Sequence, residues 1–373
     1  MLKNIYYFAN FGNLKGLPTG GGTTSSRRLR ATLEKFGYNV NITNRHRPED
    51  RSTFKGKFNK YFWICIDPIL FFNKLLFKKR KESTVLFRTY TGSLLPFDFL
   101  ITLAATLTGH NKIMCLAGGK AFNSYYQGSA FYKWLFRQTV RQYDEILTEG
   151  EINLKLIEDA GRGKVRAYYL PNFTEDGFAP EQYPDKSADS VNIMFFGRLT
   201  PEKNILLIID VFEGLQEKYG NIHLLLVGSG PKEYESKVKE KIDSSVWNSN
   251  IEWKPWADHG TIKSLMAEQH ICLFPSAEPC EGHSNALNEA MSWGLVPIVS
   301  SNNYLPSIAG YPELVAHSFD KDEYVRIIST LIDSKRLDEF GKKAFERVRD
   351  NFTQSVVERR LKEELLKYAE KIK

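Results

Sequence analysis

Apolar residues recur along this chain in two patterns, short continuous runs and longer stretches with apolar positions three and four apart, and their alternation predicts strands separated by helices in both halves. In the first half, strands are expected over 5–9, 85–88, 112–116, 145–148 and 165–170. A helix over 25–36, capped by Thr23, Thr24 or Ser25, follows a loop holding Gly16 and the triplet Gly20, Gly21 and Gly22. A second helix is expected over 97–108. A third, over 125–142, should pack Phe131, Leu135 and Phe136 inward and leave Lys133, Arg137 and Arg141 outside.

The second half repeats the plan. Strands are expected over 192–196, 224–227, 251–256, 271–274 and 296–299. Ile205, Ile208, Ile209, Phe212 and Leu215 mark one helix, and Ala286, Leu287, Ala290 and Met291 give another over 285–293 its apolar face. From Tyr324 the chain is helical and charged, and Val357, Leu361, Leu365 and Tyr368 form one face of a last helix. Residues 173–190 hold two prolines, one glycine and five acidic side chains without apolar period, the composition of a hinge-bearing linker. Two α/β domains follow, 1–172 and 191–354, each long enough for its own core.

Composition adds polarity to this plan. Hydrophobic residues at 42% and charged residues at 25% exclude wholesale disorder. Net charge is +7, but residues 1–142 carry 23 Lys+Arg against 6 Asp+Glu, and the remainder 28 against 38. The basic segment suggests an anionic partner, whether phospholipid surface, nucleic acid or phosphorylated acceptor; a merely solvated face is the plainer reading. Residues 45–81 interleave aromatics with lysines, and Asp67, Pro68, Asn73 and Lys74 interrupt them too often for a membrane span of ~20 apolar residues. They fit either a segment resting at a lipid interface or a strand and helix whose apolar residues are core. Cys65, Cys115, Cys272 and Cys280 are scattered, which suits a reducing compartment, and the amino terminus lacks a signal-peptide pattern.

Candidate chemistry lies at the predicted strand ends. Glycines before the first helix either let backbone N–H groups approach a phosphate or form a flexible structural turn, and the spacing is not the dinucleotide fingerprint. Glu281 and Glu289 stand eight apart in 274–301, the first in a loop after a strand and the second within the first two turns of a helix. Taken singly, Arg198 and Lys203 read as surface charges and Glu289 as a helix-surface glutamate. A two-carboxylate glycosidase would leave Arg198 and Lys203 without a role.

Across about 191–315 the motifs FFGRLTPEKN, LLLVGSGP and EGHSNALNEAMSWGLVPIVSS resemble those of the retaining family 4 glycosyltransferases. The first half matches by plan only. The resemblance implies the GT-B fold, two Rossmann-like domains facing across a cleft, with the last helix, about 355–373, crossing back to the first domain. It implies that Arg198 and Lys203 bind the diphosphate of a nucleotide-sugar donor, stabilising charge as the glycosidic bond breaks. Gly197, Gly228 and Gly230 belong to donor-binding turns, joined in domain one by Gly21 and Gly22. Ser284 and Asn285 offer backbone N–H groups at a helix start, and Gly282 and Ala286 count with them as donor-binding. By the same resemblance Glu289 binds the ribose and Glu281 the transferred sugar, and the base lies near Lys254 and Pro255.

Two positions depart from the family pattern. His283 stands where an aromatic, glycine or proline is usual, and either reaches the donor sugar or fills the turn. The family's first-domain histidine is replaced by Ala117, Gly118 and Gly119, while His110 precedes the strand. No metal cluster is evident, no Asp-X-Asp stands at a predicted strand end, and no cofactor is implied. The resulting expectation is a cytoplasmic retaining glycosyltransferase, peripheral on the inner face of the cell membrane, acting on a glycan or lipid-linked acceptor in polysaccharide or lipopolysaccharide assembly. A soluble synthase of the same fold with a small acceptor, and a non-catalytic nucleotide-sugar or nucleic-acid binding protein, are the alternatives; no nucleic-acid motif supports the last.

Overall fold

Each strand expected from the apolar runs is present, and the sheets contain two more that the pattern does not betray. The computed structural model describes residues 4–16, 21–46, 54–78, 80–89, 91–186 and 190–371. Gly20 of the glycine triplet, 47–53 and 79 of the aromatic and basic segment, 187–189 of the linker and 372–373 lie outside the described residues. The chain divides into two compact units: unit 1 is Met1–Pro171 with Glu358–Lys373, and unit 2 is Asn172–Val357.

Unit 1 is built on β1 (Asn4–Ala9), β2 (Asn39–Asn44), β3 (Ser83–Thr89), β4 (Asn111–Leu116), β5 (Glu145–Thr148) and β6 (Arg166–Tyr169). They pair in parallel in the order β2-β1-β3-β4-β5-β6. Its helices are α1 (Gly21–Lys35), α2 (Phe54–Leu76), α3 (Leu95–Leu107), α4 (Lys120–Tyr126), α5 (Ala130–Val140) and α6 (Ile152–Gly161). The central strands β3, β4 and β5 are buried at nearly every position, which is why they read as unbroken apolar runs. The strand that this pattern misses, β2, is an edge strand whose sequence NVNITN is mostly polar and whose residues are half-buried after an exposed Asn39.

Unit 2 holds β7 (Val191–Phe196), β8 (Ile222–Val227), β9 (Ile251–Lys254), β10 (Ile271–Phe274), β11 (Val296–Ser300) and β12 (Val315–Ala316), parallel in the order β12-β11-β10-β7-β8-β9. The helices are α7 (Ile205–Tyr219), α8 (Lys232–Ser244), α9 (His259–Ala267), α10 (Asn285–Ser292), α11 (Leu305–Ala309), α12 (Lys321–Asp333) and α13 (Leu337–Asn351). All five apolar residues that mark α7 in the sequence are buried. The second strand hidden in the sequence is β12, only two residues long.

Four local expectations change. First, α1 begins at Gly21, so Thr23, Thr24 and Ser25 lie inside the helix and do not cap it. Second, the helix expected over 125–142 is two helices broken at Gly128, where a Cβ would stand 2.3 Å from the Ser124 carbonyl oxygen. Ser129 then caps α5, accepting from the Tyr132 N–H at 3.2 Å. The new start turns Phe131 outward, while Leu135 and Phe136 are buried as expected. Third, 54–76 is one helix running through Pro68, with no strand in it. Its inner side sends Phe71 and Leu75 into the core, Phe71 edge-on to Phe8 at 5.2 Å, and its outer side leaves Phe58 and Phe62 exposed. Fourth, the stretch that reads as a linker is tied to unit 2 at several points. The Thr174 N–H donates to the Phe352 carbonyl at 2.8 Å, Phe178 is buried, and Lys186 reaches the Met266 carbonyl at 3.1 Å.

The last helix, α14 (Gln354–Lys371), carries Val357, Leu361, Leu365 and Tyr368 on a buried face, and from Glu358 onward it belongs to unit 1. Leu361 and Leu365 face Ile5, Leu29 and Leu33. Glu358 accepts from the Thr32 hydroxyl at 3.1 Å and pairs with Lys35 at 2.5 Å, and Glu364 pairs with Arg166. An apolar seam with ionic contacts along its length thus fixes the register of the helix on the sheet.

Where the strand order of unit 1 reverses, between β1 and β3, Asp98 on the first turn of α3 is fully buried. Its carboxylate accepts from the Thr89 hydroxyl, which itself accepts from the Thr91 N–H at 3.1 Å. Burial pushes its pKa up to about 6, opposed by the Thr89 hydrogen bond and the Arg45 charge. A folded pKa above the unfolded one stabilises the protonated form. That contribution is therefore complete below about pH 4 and is lost as pH rises through about 6. Asp98→Asn should gain on the wild type by about 2 kcal/mol between pH 4 and 7. Urea unfolding at a series of pH values checks this, and parallel profiles would rule it out.

Candidate functional site

Lys203 and Glu281, seventy-eight positions apart, meet where the strand order of unit 2 reverses, between β7 and β10. Lys203 leaves β7 on a short 3-10 turn and Glu281 lies in the loop between β10 and α10. Both side chains are about nine-tenths buried and form an ion pair. The Ser276 hydroxyl joins them: it donates to the Glu281 carboxylate at 2.6 Å and accepts from Lys203 Nζ at 3.3 Å. Lys203 Nζ also stands 5.1 Å above the centre of the Phe274 ring. Burying two charges is costly unless they are paired and hydrogen-bonded, and here the pairing and the serine offset that cost.

Backbone contacts hold these loops together. The Ala277 N–H donates to the Glu202 carbonyl at 2.7 Å, and the Asn204 amide donates to the Pro275 carbonyl at 2.8 Å. On the other side of β7, the turn after β8 packs directly on the Gly197 loop. The Leu199 N–H donates to the Ser229 carbonyl at 2.9 Å, and the Gly197 N–H to the Val227 carbonyl at 3.0 Å. A Cβ on Gly228 would stand 1.9 Å from the Gly197 carbonyl oxygen, and one on Gly230 would stand 1.7 Å from that of Leu199. Gly228 also has φ +137°, in the region that disfavours side chains. These glycines are required by the close approach of two backbones, whatever else they touch.

The other residues singled out in unit 2 share this carboxyl edge of the sheet. Arg198 is exposed on the Gly197 loop, where its guanidinium faces solvent. Lys254 ends β9; its carbonyl accepts from the Gly228 N–H at 2.8 Å and its ammonium pairs with Glu252. Pro255 follows and is exposed, while the indole of Trp253 donates to the Gly228 carbonyl at 3.0 Å and so braces the glycine turn. Ser284 caps α10, its hydroxyl accepting from the Leu287 N–H at 3.3 Å. Gly282, Asn285 and Ala286, half-buried, flank that cap at the positive end of the helix, and Glu289 lies half-buried in the second turn. Gly21 and Gly22 open α1 in unit 1, as the first residues of a helix.

His283 fills the turn. Its ring is buried edge-on to Phe352 at 4.9 Å, with Nδ1 3.3 Å from the Asn288 amide, and its carbonyl accepts from Asn172 at 2.7 Å. Burial, with the Arg347 charge second, lowers its pKa to about 3, so the imidazole is neutral.

Sequence reasoning misses Ser276, whose only signal is its place five residues before Glu281. It also misses the support of the Gly118 turn in unit 1. Arg88 and Glu149 form a buried ion pair there, and Glu149 accepts from the Gly118 N–H at 3.2 Å. Arg88 lies 3.6 Å from Cys115 Sγ, and burial pushes that thiol up to about 11.

Paired six-stranded parallel sheets with a last helix returned to the first unit make this the GT-B fold. Sucrose-phosphate synthase from Thermosynechococcus elongatus shares it, with a TM-score of 0.71 at 16% identity over 98% of this chain and 99% of that one. HepE from Anabaena, solved in complex with UDP, aligns with a TM-score of 0.69 at 12% identity over 98% and 100%. At such identities the likeness is one of fold. In sequence, residues 182–347 match the glycosyl transferases group 1 family, a stretch that contains every unit 2 residue singled out from the sequence. One component of the phosphatidylinositol N-acetylglucosaminyltransferase of Arabidopsis thaliana is 23% identical over 173 residues, 46% of this chain and 38% of the relative. The chain spans between 28% and 57% of the length of five curated relatives that it matches.

Two substitutions test the geometry. Gly230→Ala should destabilise unit 2 by roughly 2–4 kcal/mol, because the methyl group collides with backbone and not with a movable side chain. An unchanged melting temperature would contradict the packing described. For His283 the folded pKa lies below the ordinary value, so its contribution is present above about pH 6.5 and is lost as pH falls toward 3. His283→Gln should flatten the acid limb of a stability profile over that window.

Proposed function

We propose that this protein is a retaining glycosyltransferase that moves a sugar from a nucleotide-diphosphate sugar to a glycan or lipid-linked acceptor. The observation that carries the reading is the Lys203, Ser276 and Glu281 cluster at the strand-order reversal of unit 2, the place where open parallel sheets bind ligands. The family match over 182–347 supports the reaction class, and the UDP complex of HepE supports a nucleotide donor. The name of the Arabidopsis relative supports a lipid acceptor and an amino-sugar donor as the first to try. The protein would act from the cytoplasm at the anionic inner face of the cell membrane, in polysaccharide or lipopolysaccharide assembly.

In this mechanism the bond from the anomeric carbon to the diphosphate oxygen breaks while the acceptor oxygen attacks the same face. The departing phosphate oxygen takes the acceptor proton. Arg198 and Lys203 stabilise the charge that develops on the diphosphate, helped by the N–H groups of Asn285 and Ala286 at the start of α10. Glu281 accepts from hydroxyls of the transferred sugar and Glu289 from the ribose. No metal or cofactor is assigned a step.

A thermal-shift and hydrolysis screen against nucleotide sugars is the first test, since the donor that raises the melting temperature identifies base and sugar together. Lys203→Met and Glu281→Gln should each lower turnover of that donor by about 100-fold. Each single change removes one partner of a buried pair, so the double variant, with no charge left unpaired, controls for folding. A folded double variant that turns over donor at the wild-type rate would sink the assignment.

A further inference from the structure

Unit 1 carries an apolar surface that its own packing does not use. On the outer side of α2, Phe58, Phe62, Ile69 and Leu76 are all exposed, Phe58 at 62%, and Phe77 just beyond the helix is exposed at 88%. Leu100 and Leu107 form a similar outward line on α3, one face of a helix by their spacing. On α5, Phe131 and Trp134 are exposed with their rings stacked, centroids 5.9 Å apart. Because α3 packs between α2 and α5, these lines adjoin. Of the 17 large apolar side chains exposed among the described residues, ten lie on this layer and three in the whole of unit 2. A patch so concentrated marks a contact surface.

Charge narrows the occupant. The three helices contain two carboxylates, Asp67 and Asp98, and both are buried. Exposed charges around the patch are cationic: Lys78 and Arg80 after α2, and Arg137 on α5. Exposed acids begin beyond it on α6 and its approach, at Glu151, Glu158 and Asp159. A two-fold contact with a second copy would set these cations against one another with no carboxylate to pair them. Aromatic rings beside basic groups suit the headgroup region of an anionic bilayer instead. Among the described residues no helix is long and apolar enough to cross a membrane, so the fit is to the surface.

We propose that the α2, α3 and α5 face of unit 1 docks on an anionic phospholipid bilayer, with Phe131 and Trp134 entering the headgroup region beside Phe58 and Phe62. This rests on the lipid-linked acceptor reading above and names the surface that serves it. The full chain is to be mixed with vesicles of phosphatidylcholine alone and of phosphatidylcholine with phosphatidylglycerol, and its co-sedimentation measured. Binding to the anionic vesicles, weakened by added salt, is expected, with tryptophan fluorescence quenched by brominated acyl chains and less so in Trp134→Phe. Phe131→Ser/Trp134→Ser should weaken binding by at least about tenfold and leave the donor-induced thermal shift unchanged. Wild-type binding by that variant, no binding to either vesicle, or a dimer of the parent chain abolished by the same pair of changes would overturn the proposal. Vesicle binding by a chain that turns over no donor would support the surface and sink the transferase reading.

Discussion

The backbones of Gly228 and Gly230 lie so close to those of Gly197 and Leu199 that no side chain fits between them. This contact fixes the loops leaving two adjacent parallel strands as one body, and the rest of the site follows from it. With the first part of the Gly197 loop clamped on the β8 side, Arg198 is left in solvent. The second part turns toward β10, where Glu202 and Asn204 bind backbone groups and Lys203 enters the interior. One loop therefore delivers two cations to different depths. The braces on it are almost all main-chain hydrogen bonds, whose geometry varies little with the side chains around them.

Unit 1 uses a different physics at the same edge of its sheet. Buried carboxylates behind its strand ends take partners from other elements: Glu149 pairs with Arg88, one oxygen of Asp98 accepts from Thr89, and Asp67 meets the exposed His46 at 2.5 Å, its ring stacked 3.7 Å from that of Trp63. Such pairs cost desolvation and hold the groups that make them in position. The Gly118 turn is held by the second oxygen of Glu149, so even the backbone of that loop is set by a buried charge.

The parts legible from sequence are those governed by local rules. Central parallel strands such as β10 and the capped start of α10 declare themselves through apolar runs and a serine at the cap, which place both to within a residue or two. Local rules fail where a distant partner decides the outcome. Asn39–Asn44 becomes a strand because β1 offers it an edge, and 54–76 continues as a helix through a proline because its inner side has a core to join. Phe131 faces inward only if it belongs to a longer helix; the chain instead breaks at Gly128, where only glycine fits beside the Ser124 carbonyl, and the new helix presents Phe131 outward. Spacing names the site residues, but the contact of Lys203 with Glu281 across seventy-eight positions cannot be read from it.

That contact makes ligand entry in the proposed site an exchange and not an addition. Lys203 and Glu281 already neutralise each other, so a newcomer must replace what each loses. A free phosphate compensates the ammonium and strands the carboxylate; a free sugar does the reverse. Only a molecule carrying anion and hydroxyls on adjoining groups restores both balances at once. If the site binds as proposed, the resting ion pair would disfavour the separate fragments of that substrate relative to the intact molecule.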